Sequence, residues 1–176
     1  MGLDGLMKPK RVEMIEEKNT ARSNAISAEI QRARDYNNSF WTEDPLSGME
    51  LAVPIYATKK GLLFNKMSLL EAIANNTLPK TYSRLKKKKN LKEIDLLGAP
   101  NLLKYTCPIT SKSPSPNTVE IWVVIWKCGH IFNRVGLERL KLTNCPICGV
   151  EFTKDDLIVL SSTEQTKHYL QQHPIK

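Results

Sequence analysis

"CGHIFNRVGLERL" (128–140) repeats, with substitutions, an earlier stretch, "KGLLFNKMSLLEA" (60–72). Each reads glycine, an unlike residue, an apolar one, phenylalanine, asparagine, a basic residue, and leucine three further on. The shared positions have shared physical jobs. Gly61 and Gly129 can turn a hairpin, and Phe64 and Phe132 can fill a core. Asn65 and Asn133 stand where an asparagine caps the free amides of a helix start. Leu69 and Leu137 then pack the first helical turn. The alternative, chance similarity, leaves these matching roles without a cause. What differs is chemistry: Cys128 and His130 stand where the earlier copy has Lys60 and Leu62.

Working outward, each copy sits behind a strand-like run. "VPIYAT" (53–58) has β-branched and aromatic bias, and Pro54 confines it to an edge or a strand start. "VEIWVVIW" (119–126) is almost continuously apolar, the pattern of a strand buried on both faces. Helices are predicted over "KMSLLEAIANN" and "RVGLERLKL", and "DLIVL" (156–160) reads as a closing strand. The fold class expected is α+β: two small tandem ββα units with an extended N-terminal arm and helix. The boundaries are an arm and helix over 1–38, a metal-free unit over 39–80, a basic linker over 81–103, a second unit over 104–162 and a tail over 163–176. In the arm, "TARSNAISAEIQRARDYNN" (20–38) has helix formers but a thin apolar stripe at Ile26, Ile30 and Ala33. "MGLDGLMKPKR" (1–11) reads as extended.

The later unit holds Cys128-x-His130, fourteen intervening residues, then Cys145-x-x-Cys148. Three thiolates and an imidazole make a complete tetrahedral set for one Zn²⁺. Thiolates select zinc over magnesium or calcium. Four protein donors leave no open coordination position, so the expected zinc is structural. A unit of this size has little core to spare, and a structural zinc contributes on the order of 10 kcal/mol to folding. No apolar leader opens the chain, so paired thiols read as metal ligands before they read as disulfides. His168 and His173 are read as solvated. Cys107, in "CPIT", reads as a buried thiol, with an accessory ligand as the alternative.

The 176-residue chain carries a net charge of +8. That suits an acidic partner such as nucleic acid, and equally a protein whose charge only keeps it in solution. No run approaches the roughly 18 apolar residues of a membrane helix, so no membrane partner is expected. Lys8, Lys10 and Arg11 in the arm, and Lys86, Lys87, Lys88 and Lys89 in the linker, are candidate contacts to RNA or DNA phosphates. The run at 86–89 reads in the first place as a solvated linker or an import signal. No aromatic residues interleave with these lysines in the sequence to read single-stranded bases, which argues against sequence-specific recognition.

"CPIT…CGHIF…CPIC" resembles a RING finger that keeps only its second zinc site, the pattern of the SUMO-ligase type. "DPLSGMELAVPIYATKKGLLFNKMSLLEAI" looks like a U-box, in which polar contacts replace the metal. With the opening "MGLDG…KPKR", this order of parts is similar to the replication termination factor 2 family, from which it departs at Leu6 and in lacking the long basic C-terminal extension of many members. The resemblance implies a nuclear, non-catalytic interaction protein, a monomer within a large protein or ribonucleoprotein assembly. That assembly would serve pre-mRNA splicing in the spliceosome, the context preferred here, or the termination and stability of replication forks, or both. It also implies an alternative, a ubiquitin or SUMO ligase that holds a conjugating enzyme on a shallow apolar patch. Ile109 and Pro146 stand where that patch would lie, with Leu46 and Pro54 as the first unit's counterparts. Gly149 occupies the place where many active ligases carry a basic residue, which weakens this alternative.

Overall fold

The computed structural model of the protein describes residues 10–115 and 120–160, without the side chains of residues 10–19, 21, 30, 33, 34, 36 and 37. Helix α1 spans Lys10–Thr42 and is longer at both ends than its apolar pattern predicts. Residues up to Asp35 form one unit and Tyr36 onward another. Within the first unit every described side chain from Thr20 to Asp35 is exposed. Local bonds support the helix there: Gln31 Nε2 donates to Asp35 Oδ1 at 2.9 Å, one turn away. The extended reading of 1–11 falls outside the described residues except at Lys10 and Arg11, which are helical.

The second unit begins with the last turn of α1, where Phe40 and Trp41 meet edge-to-face at 4.9 Å and Trp41 is buried. Two three-stranded antiparallel sheets follow. In the first, β1 (Ile55–Thr58) is central, flanked by β2 (Leu63–Asn65) and β3 (Leu91–Glu93). Tyr56 pairs with Phe64 on one side and with Glu93 on the other. In the second, β4 (Trp122–Ile125) is central, flanked by β5 (Ile131–Asn133) and β6 (Leu157–Leu160). Val123 pairs with Phe132 and with Val159. Helices α2 (Lys66–Ala74) and α3 (Arg134–Leu140) leave directly from β2 and β5. All four residues of β4 are buried, as its unbroken apolar run requires.

β3 lies within the stretch read as a linker. Its three residues carry too weak an alternation to announce a strand, and pairing with β1 decides the matter. The chain then continues from β3 onto the second sheet. Asp95 N donates to the Gly129 carbonyl at 3.1 Å, and Asp95 and His130 form a parallel bridge. One buried core runs through both halves of this unit: Ile55 and Leu63 belong to it with Trp122, Ile125 and Phe132, joined by Ile94, Leu96, Leu102 and Tyr105. A smaller cluster of Phe64, Leu69 and Leu85 takes in Leu46, Leu62 and Tyr82 at its edge.

The two asparagines behave differently. Asn133 caps α3, its Oδ1 accepting from Val135 N at 3.0 Å. Asn65 stands at the same position before α2 but makes no side-chain bond to the helix. Its amide turns to the loop before β1, accepting from Ala52 N at 3.0 Å and donating to the Glu50 carbonyl at 2.9 Å. The cap expected of Asn65 is therefore replaced by a clamp on the loop before β1, where it satisfies the Ala52 amide and the Glu50 carbonyl.

Candidate metal centre

Two tight turns position the metal-ligating residues. Between β4 and β5, Gly129 takes φ +89° and donates to the Ile125 carbonyl at 2.8 Å, so that Cys128 and His130 project from one bend. A Cβ on Gly129 would stand 2.3 Å from the Glu93 carbonyl oxygen, which excludes any other residue without movement of β3. Past α3, Cys145 N donates to the Val150 carbonyl at 2.9 Å and Gly149 N to the Cys145 carbonyl at 2.8 Å. Gly149, at φ +72°, closes this knuckle.

The turns bring Cys128, His130, Cys145 and Cys148 together, with one donor atom from each lying within 4.8 Å of all the others. A tetrahedral site with metal–sulfur bonds near 2.3 Å has sulfur–sulfur edges of about 3.8 Å, so little contraction is needed. His130 Nδ1 is the ring nitrogen facing the thiols, 3.5 Å from Cys145 Sγ. Its Nε2 faces Asp95 Oδ2 at 3.4 Å. Asp95 is itself oriented, since its Oδ1 accepts from Leu97 N at 2.8 Å. A carboxylate behind a ligating histidine sets ring orientation and raises ligand basicity.

Burial, with the nearby Cys145 and Cys148, pushes the Cys128 thiol up to about 12. The Val150 backbone amide draws the exposed Cys148 below its usual value. The quartet therefore fits a metal ion that accepts thiolate donors and repays their deprotonation.

The earlier half uses the same kind of turn without a ligand set. In "DPLSG", Asp44 N donates to the Met49 carbonyl and Gly48 N to the Asp44 carbonyl, both at 2.8 Å, with Gly48 at φ +66°. This is the bonding of "CPICG" with Asp44 in the place of Cys145. The Asp44 carboxylate is fully buried and acts as the hub. It accepts from Ser47 Oγ at 2.6 Å, Ser47 N at 3.2 Å, Asn65 N at 3.4 Å and the Ser68 hydroxyl.

A family model described as Rtf2 RING-finger matches residues 1–174. The chain belongs to this family. It is 26% identical to Replication termination factor 2 of Gallus gallus over 98% of this chain and 60% of that protein. Against the protein of the same name from Homo sapiens it is 26% identical over 94% of this chain and 58% of that one. Against that of Pongo abelii it is 27% identical, over 94% and 58% respectively. The chain thus spans about three fifths of the length of these curated relatives.

Within this member of the Rtf2 RING-finger family, a third turn of the same type carries Cys107. Ser111 N donates to the Cys107 carbonyl and Cys107 N to the Lys112 carbonyl, both at 2.8 Å. Cys107 is fully buried and stands outside the quartet. A Cβ on Gly136 would fall 2.8 Å from Thr110 Cγ2 and 2.9 Å from Ile109 Cγ2, so the turn is sealed by packing of α3. Gly136 is the counterpart of Ser68, and the exchange swaps a hydrogen bond for a close contact.

Ile109 and Leu46 are half-buried, and Pro146 and Pro54 are exposed. Lys86, Lys87, Lys88 and Lys89 are exposed where one 3-10 helix (Lys80–Lys86) passes into another (Lys88–Asn90) before β3, with Lys86 Nζ donating to Asn76 Oδ1 at 3.2 Å. Lys8, His168 and His173 lie outside the described residues, as do the side chains of Lys10 and Arg11. Among the described residues no helix is long and apolar enough to cross a membrane. Sequence reasoning missed Asp95 and the Asp44 hub. Asp95 lies in a different segment from His130 and carries no local signal. The hub had one: an acidic residue, serine and glycine at the spacing of "CPICG".

Proposed function

We propose that this chain is a non-catalytic interaction protein of a nuclear nucleic-acid machine, built from a U-box-like half and a RING-like half stapled by one structural zinc ion. The observation that carries the reading is the closed quartet beside a metal-free half of like turn geometry. Four protein donors leave a tetrahedral zinc no position for substrate, so the metal shapes a surface and takes no part in a reaction. Three thiolates and an imidazole favour zinc among common divalent ions. The relatives carry the name Replication termination factor 2, which supports a role at replication forks, with splicing as the second context. The excess of lysine and arginine supports contact with phosphates through Lys8, Lys10, Arg11, Lys86, Lys87, Lys88 and Lys89.

Affinity purification of the full chain from nuclei tests this reading. Recovery with replication-fork proteins is the expected result, and recovery with spliceosomal proteins selects the other context. Recovery with neither overturns the proposal. Incubation with a panel of charged ubiquitin- and SUMO-conjugating enzymes tests the ligase alternative through Ile109, Pro146, Leu46 and Pro54. No chain formation above a Cys145→Ser control is expected, and turnover that the control abolishes would establish a ligase.

A further inference from the structure

Two stretches distant in sequence bring lysines to one place. Lys59 and Lys60 form the turn between β1 and β2, Lys88 and Lys89 enter β3, and Lys92 lies within it. The strand register makes them neighbours: Thr58 pairs with Leu91 and Ala57 with Lys92. Lys59 therefore leaves β1 beside the point where Lys89 approaches β3. The second sheet adds an aromatic ring. Trp126, directly after β4, lies beneath Lys59, whose Nζ is 5.7 Å from the ring centroid. Lys92 Nζ donates to the carbonyl of the next residue, Lys127, at 2.6 Å.

The lysines of this face form no ion pairs among the described residues. Lys59, Lys60, Lys88 and Lys89 are exposed, and among the described residues neither they nor Lys92 pairs with a carboxylate. Two of the bordering carboxylates are paired elsewhere, Glu93 with Lys66 at 2.8 Å and Asp156 with Lys127 at 3.0 Å, while Glu151 and Asp155 are exposed nearby. The lysine run is also held by a folded segment, because Leu85 is buried and β3 follows at once. Trp126 differs from Trp41 and Trp122, which are buried, in being half-exposed. An aromatic ring absent from the lysine stretches in sequence is thus supplied to them by the fold.

We propose that this face binds single-stranded nucleic acid, with phosphates on Lys59, Lys60, Lys88 and Lys89 and a base stacked on Trp126. The inference rests on the nucleic-acid reading above and deepens it. Lysines alone would hold any polyanion. The indole beside them favours a strand with open base faces, which a duplex lacks. Lys59 already rests over the ring, so a base on the indole places its own phosphate near that ammonium.

The test uses the full, metal-loaded chain and a fluorescein-labelled oligothymidylate, with oligouridylate and a duplex as further arms, followed by anisotropy and tryptophan emission. Binding that quenches Trp126 is expected, tighter for either single strand than for the duplex. The Lys59→Glu/Lys60→Glu variant, altered only at exposed positions, should bind at least tenfold more weakly. Each lysine lost should lower the log–log salt slope by about 0.7. Trp126→Ala should weaken binding about fivefold or more, while Trp126→Phe retains most of it without the quench. No binding at low salt, equal or tighter binding to the duplex, or an unchanged Lys59→Glu/Lys60→Glu variant each overturns the face. Loss of binding only on altering Lys86 and Lys87 also sinks it, yet leaves phosphate contact by the basic run standing. Absence of any binding, together with recovery of fork proteins from nuclei, sinks the face and not the role proposed for the chain.

Discussion

His130 is held from both sides: Nδ1 lies 3.5 Å from Cys145 Sγ, and Nε2 lies 3.4 Å from Asp95 Oδ2. The two contacts assign the ring nitrogens opposite tasks, one toward the metal position and one toward a carboxylate from the segment after β3. Asp95→Ala should therefore lower metal affinity by about 10- to 100-fold, measured by competition with a chromophoric chelator. Asp95→Asn, which keeps a hydrogen-bond acceptor and loses the charge, should fall between. Equal affinity in all three proteins would show that the carboxylate does not act through His130.

Metal removal should be felt in both sheets of the second unit. The core is continuous from Leu51 and Ile55 to Phe132 and Phe152, and the turn carrying Cys128 is bonded to Asp95, just after β3. Structural zinc contributes on the order of 10 kcal/mol, comparable with the whole stability of a small domain. Chelation, or Cys145→Ser, should abolish near-ultraviolet circular dichroism and shift the emission of Trp41 and Trp122 together. Separate transitions for the two would contradict a shared core.

Asp44 should be the most sensitive polar position of the first sheet's half. Asp44→Ala leaves Asn65 N and the Ser47 and Ser68 hydroxyls without their acceptor, at a cost of about 2 kcal/mol or more. Thermal unfolding should show a midpoint lower by several degrees, while metal affinity of the folded protein stays unchanged. Ser47→Ala, which removes one donor and leaves the carboxylate bonded, should cost less.

Asp156 predicts an acid-side dependence. Its carboxyl sits below its usual value, chiefly because Thr153 N donates to it at 2.9 Å and then because Lys127 Nζ lies 3.0 Å away. A depressed folded pKa means that the contribution is present above the unfolded value, near 3.8, and is lost as pH falls through the lower folded one. Asp156→Asn should lower stability near neutral pH. The gap from the parent should close between about pH 4 and the acid limit, as followed by denaturant titration at each pH. A gap constant across that range would exclude the mechanism.

Much of this was legible in the sequence because it is local. A glycine that reverses the chain, a phenylalanine that follows, a cysteine and histidine two residues apart and two cysteines three apart each act within a single turn, and the quartet closes as its spacing implies. The strand at 122–125 was equally plain, because burial on both faces leaves an unbroken apolar run. β3 was not, since three residues of mixed polarity become a strand only beside β1. Nor was the divergence of Asn65 from Asn133, which depends on which unpaired backbone amides lie within reach.

By itself the sequence determined which atoms can ligate a metal, which turns reverse the chain and which runs are buried, because each follows from residue type and short spacing. Tertiary structure alone decided that Asp95 stands behind His130, that Trp126 lies under Lys59, and that one core serves both sheets. Those relationships join segments tens of residues apart. They exist only because packing apolar surface against apolar surface brings polar groups into contact that no local pattern encodes.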